Sequence, residues 1–217
     1  MTALWTVEGD ETSWTEWAER MAESPSSPLV ETLLSSRQGS PGAWALDVGC
    51  GTGRAFNLLI QRGFQVIGID PTAAAVRAAA ARAAAEPLPA WAILGAADHP
   101  PIKEQSIDLV LAMGVLFHLN AVELQAALTQ IHAVLRPGGE AILHFLDIDD
   151  WRRMLGAVTP PADLPQPSYK AVVTCFCSSD AVRESLAPTG LTLVSLELVT
   201  QEHEAGELRN WLAVCTR

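Results

Sequence analysis

An α/β fold built on a mostly parallel sheet is predicted by three features of the 217-residue chain. Apolar runs of strand length alternate with helical patterns from Trp44 onward, the order expected of a parallel sheet with helices on both faces. The first run, near 44–48, opens into a glycine-rich turn, Gly49-Cys50-Gly51-Thr52-Gly53. The second ends on an acid, Asp70. Glycine permits left-handed dihedrals and lets the backbone approach a ligand closely. An acid at the end of the next strand is placed to accept hydrogen bonds from ribose hydroxyls, so the pattern suits a nucleoside at the carboxyl edge of the sheet.

The elements follow in order. A helix is predicted to begin around Gly53, with Phe56, Leu59 and Ile60 on one face, and to end at Gly63. The second strand spans 64–69. Pro71 suits the first turn of a helix over 72–85 that is nearly all alanine, the residue of highest helix propensity. Arg77 and Arg82 are expected to face water. Trp91 to Leu94 forms a third strand, and Ile107 to Met113 a fourth, buried on both faces. Asn120 and Glu123 have the spacing of a capping box. Leu124, Leu128, Ile131 and Leu135 mark the buried stripe of the helix that follows. Pro137-Gly138-Gly139 stops that helix, and Ala141 to Leu146 is the fifth strand. Ser178 is placed to cap a helix reaching about Ala187. Leu191 to Leu198 and Leu208 to Thr216 read as two final strands joined by a charged loop over 202–207.

Composition excludes several classes. Hydrophobic residues make up 49% of the chain, which argues against a disordered protein. No apolar run approaches the roughly 20 residues needed to span a bilayer. Met1 to Glu19 carries acids and no basic stretch, so a secretory leader is not expected and a cytoplasmic location is. The net charge of −11, with 14 Lys+Arg against 25 Asp+Glu, disfavours nucleic acid as a partner. Cys50, Cys175, Cys177 and Cys215 have no zinc-ligand spacing, so no metal is expected. Cys175 and Cys177 read as reduced thiols packed as small apolar groups.

Glycine spacing separates two kinds of nucleotide site. A dinucleotide fold wants G-x-G-x-x-G, whereas Gly49, Gly51 and Gly53 give G-x-G-x-G, with Arg54 in the place of the third dinucleotide glycine. Asp47-Val48-Gly49-Cys50-Gly51-Thr52-Gly53 resembles motif I of the class I S-adenosylmethionine-dependent methyltransferases. Val66 to Asp70 resembles the strand that follows it in that family. Gly95-Ala96-Ala97-Asp98, with Ser106-Ile107-Asp108-Leu109-Val110, resembles its next signature. Val115 to Leu119 and Leu135-Arg136-Pro137-Gly138-Gly139 resemble two more. Departures are His99-Pro100, where the family has an aliphatic pair, and Phe117, where it has a histidine.

The resemblance implies one domain over 1–217, with a helical cap in 1–43, a cofactor-binding core in 44–146, and an acceptor-side loop and hairpin in 147–217. It implies a Rossmann-like, seven-stranded sheet ordered 3-2-1-4-5-7-6 with strand seven antiparallel. It also implies roles. The backbone of Gly49, Gly51 and Gly53, with Cys50 between them, cradles the methionine part of S-adenosylmethionine. Asp47 meets its ammonium, and Asp70 takes the ribose hydroxyls. Pro71 and Thr72 border the adenine, Ala97 and Asp98 meet its edge, and Met113 lines the methionine arm. Short polar residues such as Asp98 also cap turns, and Met113 reads equally as core.

The expected reaction is methyl transfer to a small-molecule acceptor, with S-adenosylhomocysteine as product. A protein or RNA acceptor, or cofactor binding without transfer, are the alternatives. A general base is needed only for a weakly acidic acceptor. His118, after the fourth strand, is the candidate. On the acceptor side, Trp14, Trp17, His144, Asp147, Asp149 and Tyr169, the only tyrosine, are candidate contacts. A histidine inside a strand such as His144 is more often a satisfied core residue, and the i, i+3 pair Trp14 and Trp17 also suits plain docking of one helix face.

Overall fold

The computed structural model describes residues 11–85, 89–152, 175–204 and 206–217. Tyr169 lies outside these residues, as do Pro160, Pro161, Pro165 and Pro167 of the acceptor-side loop. The described elements are α1 (Glu11–Met21), α2 (Pro28–Leu34), β1 (Trp44–Val48), α3 (Phe56–Gln61), β2 (Gln65–Asp70), α4 (Ala73–Ala85) and β3 (Ala90–Leu94). Then come β4 (Ile107–Ala112), α5 (Ala121–Val134), β5 (Leu135–Asp147), β6 (Phe176–Cys177), α6 (Ser179–Leu186), β7 (Thr192–His203) and β8 (Gly206–Thr216).

The sheet runs β3-β2-β1-β4-β5-β8-β7. The β1 to β5 pairings are parallel, and β8 is antiparallel to both β5 and β7. This is the predicted order, with the final hairpin as β7 and β8. The two-residue β6, absent from the sequence reading, pairs with Leu146 and Asp147 at the far end of β5. Leu146 already faces Asn210 of β8 on its other side. β6 therefore takes the side that β4 vacates at Ala112, directly over the carboxyl edge.

Alternation along β1 divides the core. Ala45 belongs to the layer with Leu34, Phe56, Leu59 and Ala79 from α2, α3 and α4. Leu46 and Val48 belong to the layer with Leu128 and Ile131 of α5 and Val182 of α6. Both faces of β1 are thus covered, as a parallel strand requires. In α4, Ala75, Ala79 and Ala83 form the buried row. Their small side chains let the glycine turn press close: a Cβ on Gly53 would stand 3.2 Å from the Ala79 methyl.

Several expectations are corrected. α3 begins at Phe56, not near Gly53, because Gly51 and Gly53 hold positive φ (+53° and +73°) and the chain turns before it coils. α5 ends at Val134, ahead of the predicted stop at Pro137-Gly138-Gly139, and β5 starts at Leu135 rather than Ala141. Arg217 secures this stretch: its amide donates to the Gly139 carbonyl, and its guanidinium donates to the carbonyls of His132, Ala133 and Leu135 that α5 leaves open. The last hairpin is longer than predicted, with the pairing reaching His203 and Gly206. Arg77 is exposed, but Arg82 is not turned to water. Its guanidinium donates to the carbonyls of Thr52, Ala22 and Ser24. The Asn120–Glu123 capping box forms as predicted, and Ser178 caps α6 through the Ala181 amide.

Candidate functional site

The glycine turn stands at the carboxyl end of β1 with its backbone crowded from two sides. A Cβ on Gly49 would lie 2.6 Å from the Val115 Cβ, and one on Gly51 would lie 2.9 Å from the Trp17 indole. Both glycines also have positive φ (+67° and +53°), so two demands select the same residue type. α1 is fastened over this turn. Thr52 Oγ1 donates to the Met21 carbonyl at 3.1 Å, and Arg82 binds the chain just beyond α1. Arg54 stacks on the Trp17 ring at 5.5 Å.

Asp70 ties the turn to the next loop. Its Oδ2 accepts the Gly51 amide at 3.0 Å, and its Oδ1 accepts the Thr72 amide at 2.8 Å. An ionised carboxylate has about four acceptor positions, so with these donors and the Thr72 side chain the group still has room for a further donor such as a ribose hydroxyl. Burial pushes the Asp70 carboxyl above the usual carboxylate range, and the two backbone donors and the Thr72 side chain oppose that shift. Asp47, one strand over, is 4% exposed. Burial, and then repulsion from Asp70, push its carboxyl up to about 7, with Arg54 opposing. Cys50, between them, has its thiol raised by burial and by both acids, so it is unreactive.

A cavity of about 260 Å³ opens in front of the turn. It brings together Gly49, Pro71, Ala97, Asp98 and His118 from the candidate set, with Gly95, Ala96, Val115, Leu119 and Glu123 beside them. Asp47, Cys50, Gly51, Gly53, Asp70 and Thr72 lie in the turn and strand ends around it. Met113 packs half-buried against the core layer of α2 and α3. Asp98 pairs with His99 at 3.1 Å on the rim. The donor set suits a nucleoside with an amino-acid tail. It offers a backbone cradle too tight for any side chain, a carboxylate with spare acceptor positions, and a second buried acid that a cation would stabilise.

On the other side of the cavity, rings gather. Trp14 meets the His118 ring edge-on at 4.9 Å and Trp17 at 6.2 Å. Phe117 lies 4.4 Å from His118 and 5.2 Å from His144. His144 is turned inward. Its Nδ1 accepts the Gly114 amide at 3.2 Å, and its Nε2 lies 2.9 Å from Asn210 Oδ1. Burial lowers its pKa to about 4, so the imidazole is neutral near pH 7. Asp147 is also turned inward, accepting Arg209 Nε at 2.8 Å and the Asp149 amide at 3.1 Å on one oxygen. Asp149 itself is exposed.

Sequence reasoning missed a charged cluster here. Asp150, 1% exposed, accepts the guanidinium and amide of Arg152 and the Arg209 amide. Arg152 also donates to Asn210 at 3.2 Å. No local pattern marks Arg209 or Asn210; they reach the site because β8 pairs with β5.

A family profile described as a methyltransferase domain matches residues 45–139. An uncharacterised methyltransferase of Synechocystis is 35% identical over 100 residues, covering 46% of this chain and 45% of that protein. A tRNA U34 carboxymethyltransferase of Azotobacter vinelandii is 37% identical over 125 residues, covering 56% of this chain and 37% of that protein. The chain spans about half the length of the curated relatives it matches, 37% of one and 58% of another. Among solved structures, a Burkholderia thailandensis 1,6-didemethyltoxoflavin-N1-methyltransferase with S-adenosylhomocysteine bound superposes with a TM-score of 0.71 at 18% identity, covering 95% of this chain and 84% of that one.

Proposed function

We propose that the chain is a class I S-adenosylmethionine-dependent methyltransferase and that it transfers a methyl group from S-adenosylmethionine to a small-molecule acceptor. One observation carries the reading. Gly49 of the turn lines one cavity together with Pro71, Ala97, Asp98 and His118, and Asp70 is tied to the same turn through the Gly51 amide. In this reading Gly49, Gly51 and Gly53 hold the methionine part, with Cys50 filling the turn and Met113 behind it. Asp47 faces the ammonium, Asp70 the ribose, and Pro71, Thr72, Ala97 and Asp98 the adenine. When bound, the cofactor supplies a methyl group already activated on a positively charged sulfur.

The protein's work is then placement. Holding an acceptor in line supplies roughly 7–11 kcal/mol of the barrier. Trp14 and Trp17 cover the site and exclude water. His118 takes the proton of an acceptor that needs a base. Tyr169 is kept as an acceptor contact, whereas Asp147 and His144 support the acceptor wall through their inward partners. No helix among the described residues is long and apolar enough to cross a membrane. The four cysteines are free thiols, which suits the reducing cytoplasm.

A macromolecular acceptor is the second reading, favoured by the name of the Azotobacter relative. The net charge of −11 weighs against RNA, and Arg152 of the Arg152-Arg153 pair is bound to Asp150. The test is calorimetry with S-adenosylmethionine and S-adenosylhomocysteine, then an acceptor screen read by mass spectrometry for a one-methyl gain. Absence of cofactor binding refutes the proposal. A methyl gain confined to tRNA or protein moves it to the second reading, and binding without any transfer makes the protein a cofactor-binding one.

A further inference from the structure

We infer that His144 is a positioning residue for the transfer site, set in one tautomer by a relay from Arg152 through Asn210 and holding, through the Gly114 amide, the loop that frames the cavity. The inference rests on reading that cavity as the site of methyl transfer.

The relay begins with an obligate donor. A guanidinium has N–H groups and no acceptor. Arg152 is locked onto buried Asp150 by Nε and Nη2, both at 2.7 Å. Its Nη2 also reaches the Asn210 side chain at 3.2 Å. The Asn210 atom at that point must therefore be its carbonyl oxygen, which settles the orientation of the amide. The same oxygen lies 2.9 Å from His144 Nε2. Oxygen faces nitrogen there, so Nε2 must carry the proton. In a neutral imidazole the other nitrogen then has a lone pair, and Nδ1 is the atom that accepts the Gly114 amide. Burial keeps the ring neutral. Every step follows from what the preceding group is able to donate.

The tethered loop is the one the site depends on. Gly114 follows β4 with a φ of +76° and is exposed, so without His144 its amide would turn to water. The next residue, Val115, lies against Gly49, and His118 borders the cavity. The far end of the loop is held separately, by the Cys175 amide on the Phe117 carbonyl at 2.6 Å. His144 therefore fixes the near end, where the loop meets the glycine turn.

The experiment uses the full chain, first free of ligand. Long-range ¹H–¹⁵N spectra report the His144 tautomer, and amide hydrogen exchange reports Gly114. Calorimetry then measures affinity for S-adenosylhomocysteine. His144→Phe keeps the ring and its contact with Phe117 but removes both nitrogens. His144→Asn keeps an acceptor near the Nδ1 position. We expect the Nε2–H tautomer in the wild type. Gly114 exchange should quicken, and S-adenosylhomocysteine affinity fall, by about fivefold in His144→Phe, the net value of one hydrogen bond. Both should return toward wild type in His144→Asn, which a purely space-filling role would not produce. An Nδ1–H tautomer, or Gly114 exchange unmoved in His144→Phe, overturns the inference while wild-type binding leaves the cofactor reading intact. Failure of the wild type to bind S-adenosylhomocysteine removes the cofactor reading, and the positioning role with it.

Discussion

Asp70 accepts the Gly51 amide on Oδ2 at 3.0 Å, so the acid at the end of β2 is a structural part of the glycine turn beyond β1. The same carboxylate holds Thr72 through Oδ1. Asp70→Ala therefore removes two internal bonds along with the acceptors offered to a ribose. Hydrogen bonds to a charged group contribute roughly 1.5–3 kcal/mol each, so affinity for S-adenosylmethionine should fall by about tenfold or more. Calorimetry with unchanged affinity would contradict the placement.

Asp47 makes stability depend on pH. Its carboxyl is raised from 3.8 to about 7, so the native state keeps a proton that the unfolded chain releases. The associated stability is complete below the unfolded value and is lost as pH rises through about 7. Asp70, also raised, acts in the same direction. Asp47→Asn should flatten the melting temperature between pH 5 and 8 and lift it at pH 8, on the order of 5 °C for a chain of this size. A cofactor ammonium would favour the ionised acid, so binding near neutral pH should release protons into the wild type's buffer and fewer into the variant's. Equal slopes of melting temperature against pH in the two proteins would rule out this account.

What was legible in the sequence is what is local. The glycines, Asp47 and Asp70 sit within 24 residues of chain, and turn, strand and acid announce one another by spacing. The partners of His144 were not legible, because Asn210 lies 66 positions away and arrives only through the antiparallel register of β5 and β8. The role of Arg82 escapes a local reading for another reason. A helix made almost wholly of alanine shows no apolar stripe to reveal which face is covered, and the carbonyls that recruit Arg82 belong to the end of α1 and the glycine turn. The early start of β5 was hidden because proline and two glycines signal a turn, while Arg217 at the other end of the chain pairs with them.

His118→Ala tests the base. The ring borders the cavity and touches Trp14 and Phe117, whereas the glycine turn and Asp70, read as holding the cofactor, stand at the ends of β1 and β2. Transfer to a weakly acidic acceptor should slow by about a hundredfold or more, with S-adenosylhomocysteine affinity unchanged. An equal rate would leave His118 as a ring that packs against Trp14.

Arg82→Met tests the docking of α1. Three carbonyls lose their donor, two of them just beyond α1 and the third in the glycine turn. The methionine retains most of the aliphatic stem. Helix α1 should therefore loosen without global unfolding, shown by faster proteolysis and amide exchange over residues 11–24. Trp17 loses its fixed position over Gly51, so cofactor affinity should drop as well. Unchanged exchange in α1 would mean that Thr52 and the tryptophans suffice to hold it.

Asp150→Ala tests the charged cluster behind the acceptor side. Burial alone would raise the Asp150 carboxyl, but the bonds from Arg152 and Arg209 outweigh it and hold it below the usual range. Its stabilising effect is therefore present above the unfolded carboxylate pKa and is lost as pH falls through the lowered native value. Removing the acid strands the Arg152 guanidinium and the Arg209 amide together. Breaking a buried pair from one side costs about 3 kcal/mol or more, less where a partner such as Arg152 reaches water. Urea unfolding should show that loss for Asp150→Ala at pH 7 and a smaller one at pH 3. A double cycle with Arg152→Ala should recover part of it, since the pair fails as a unit. Strict additivity of the two variants would mean that Asp150 is held by the Arg209 amide alone.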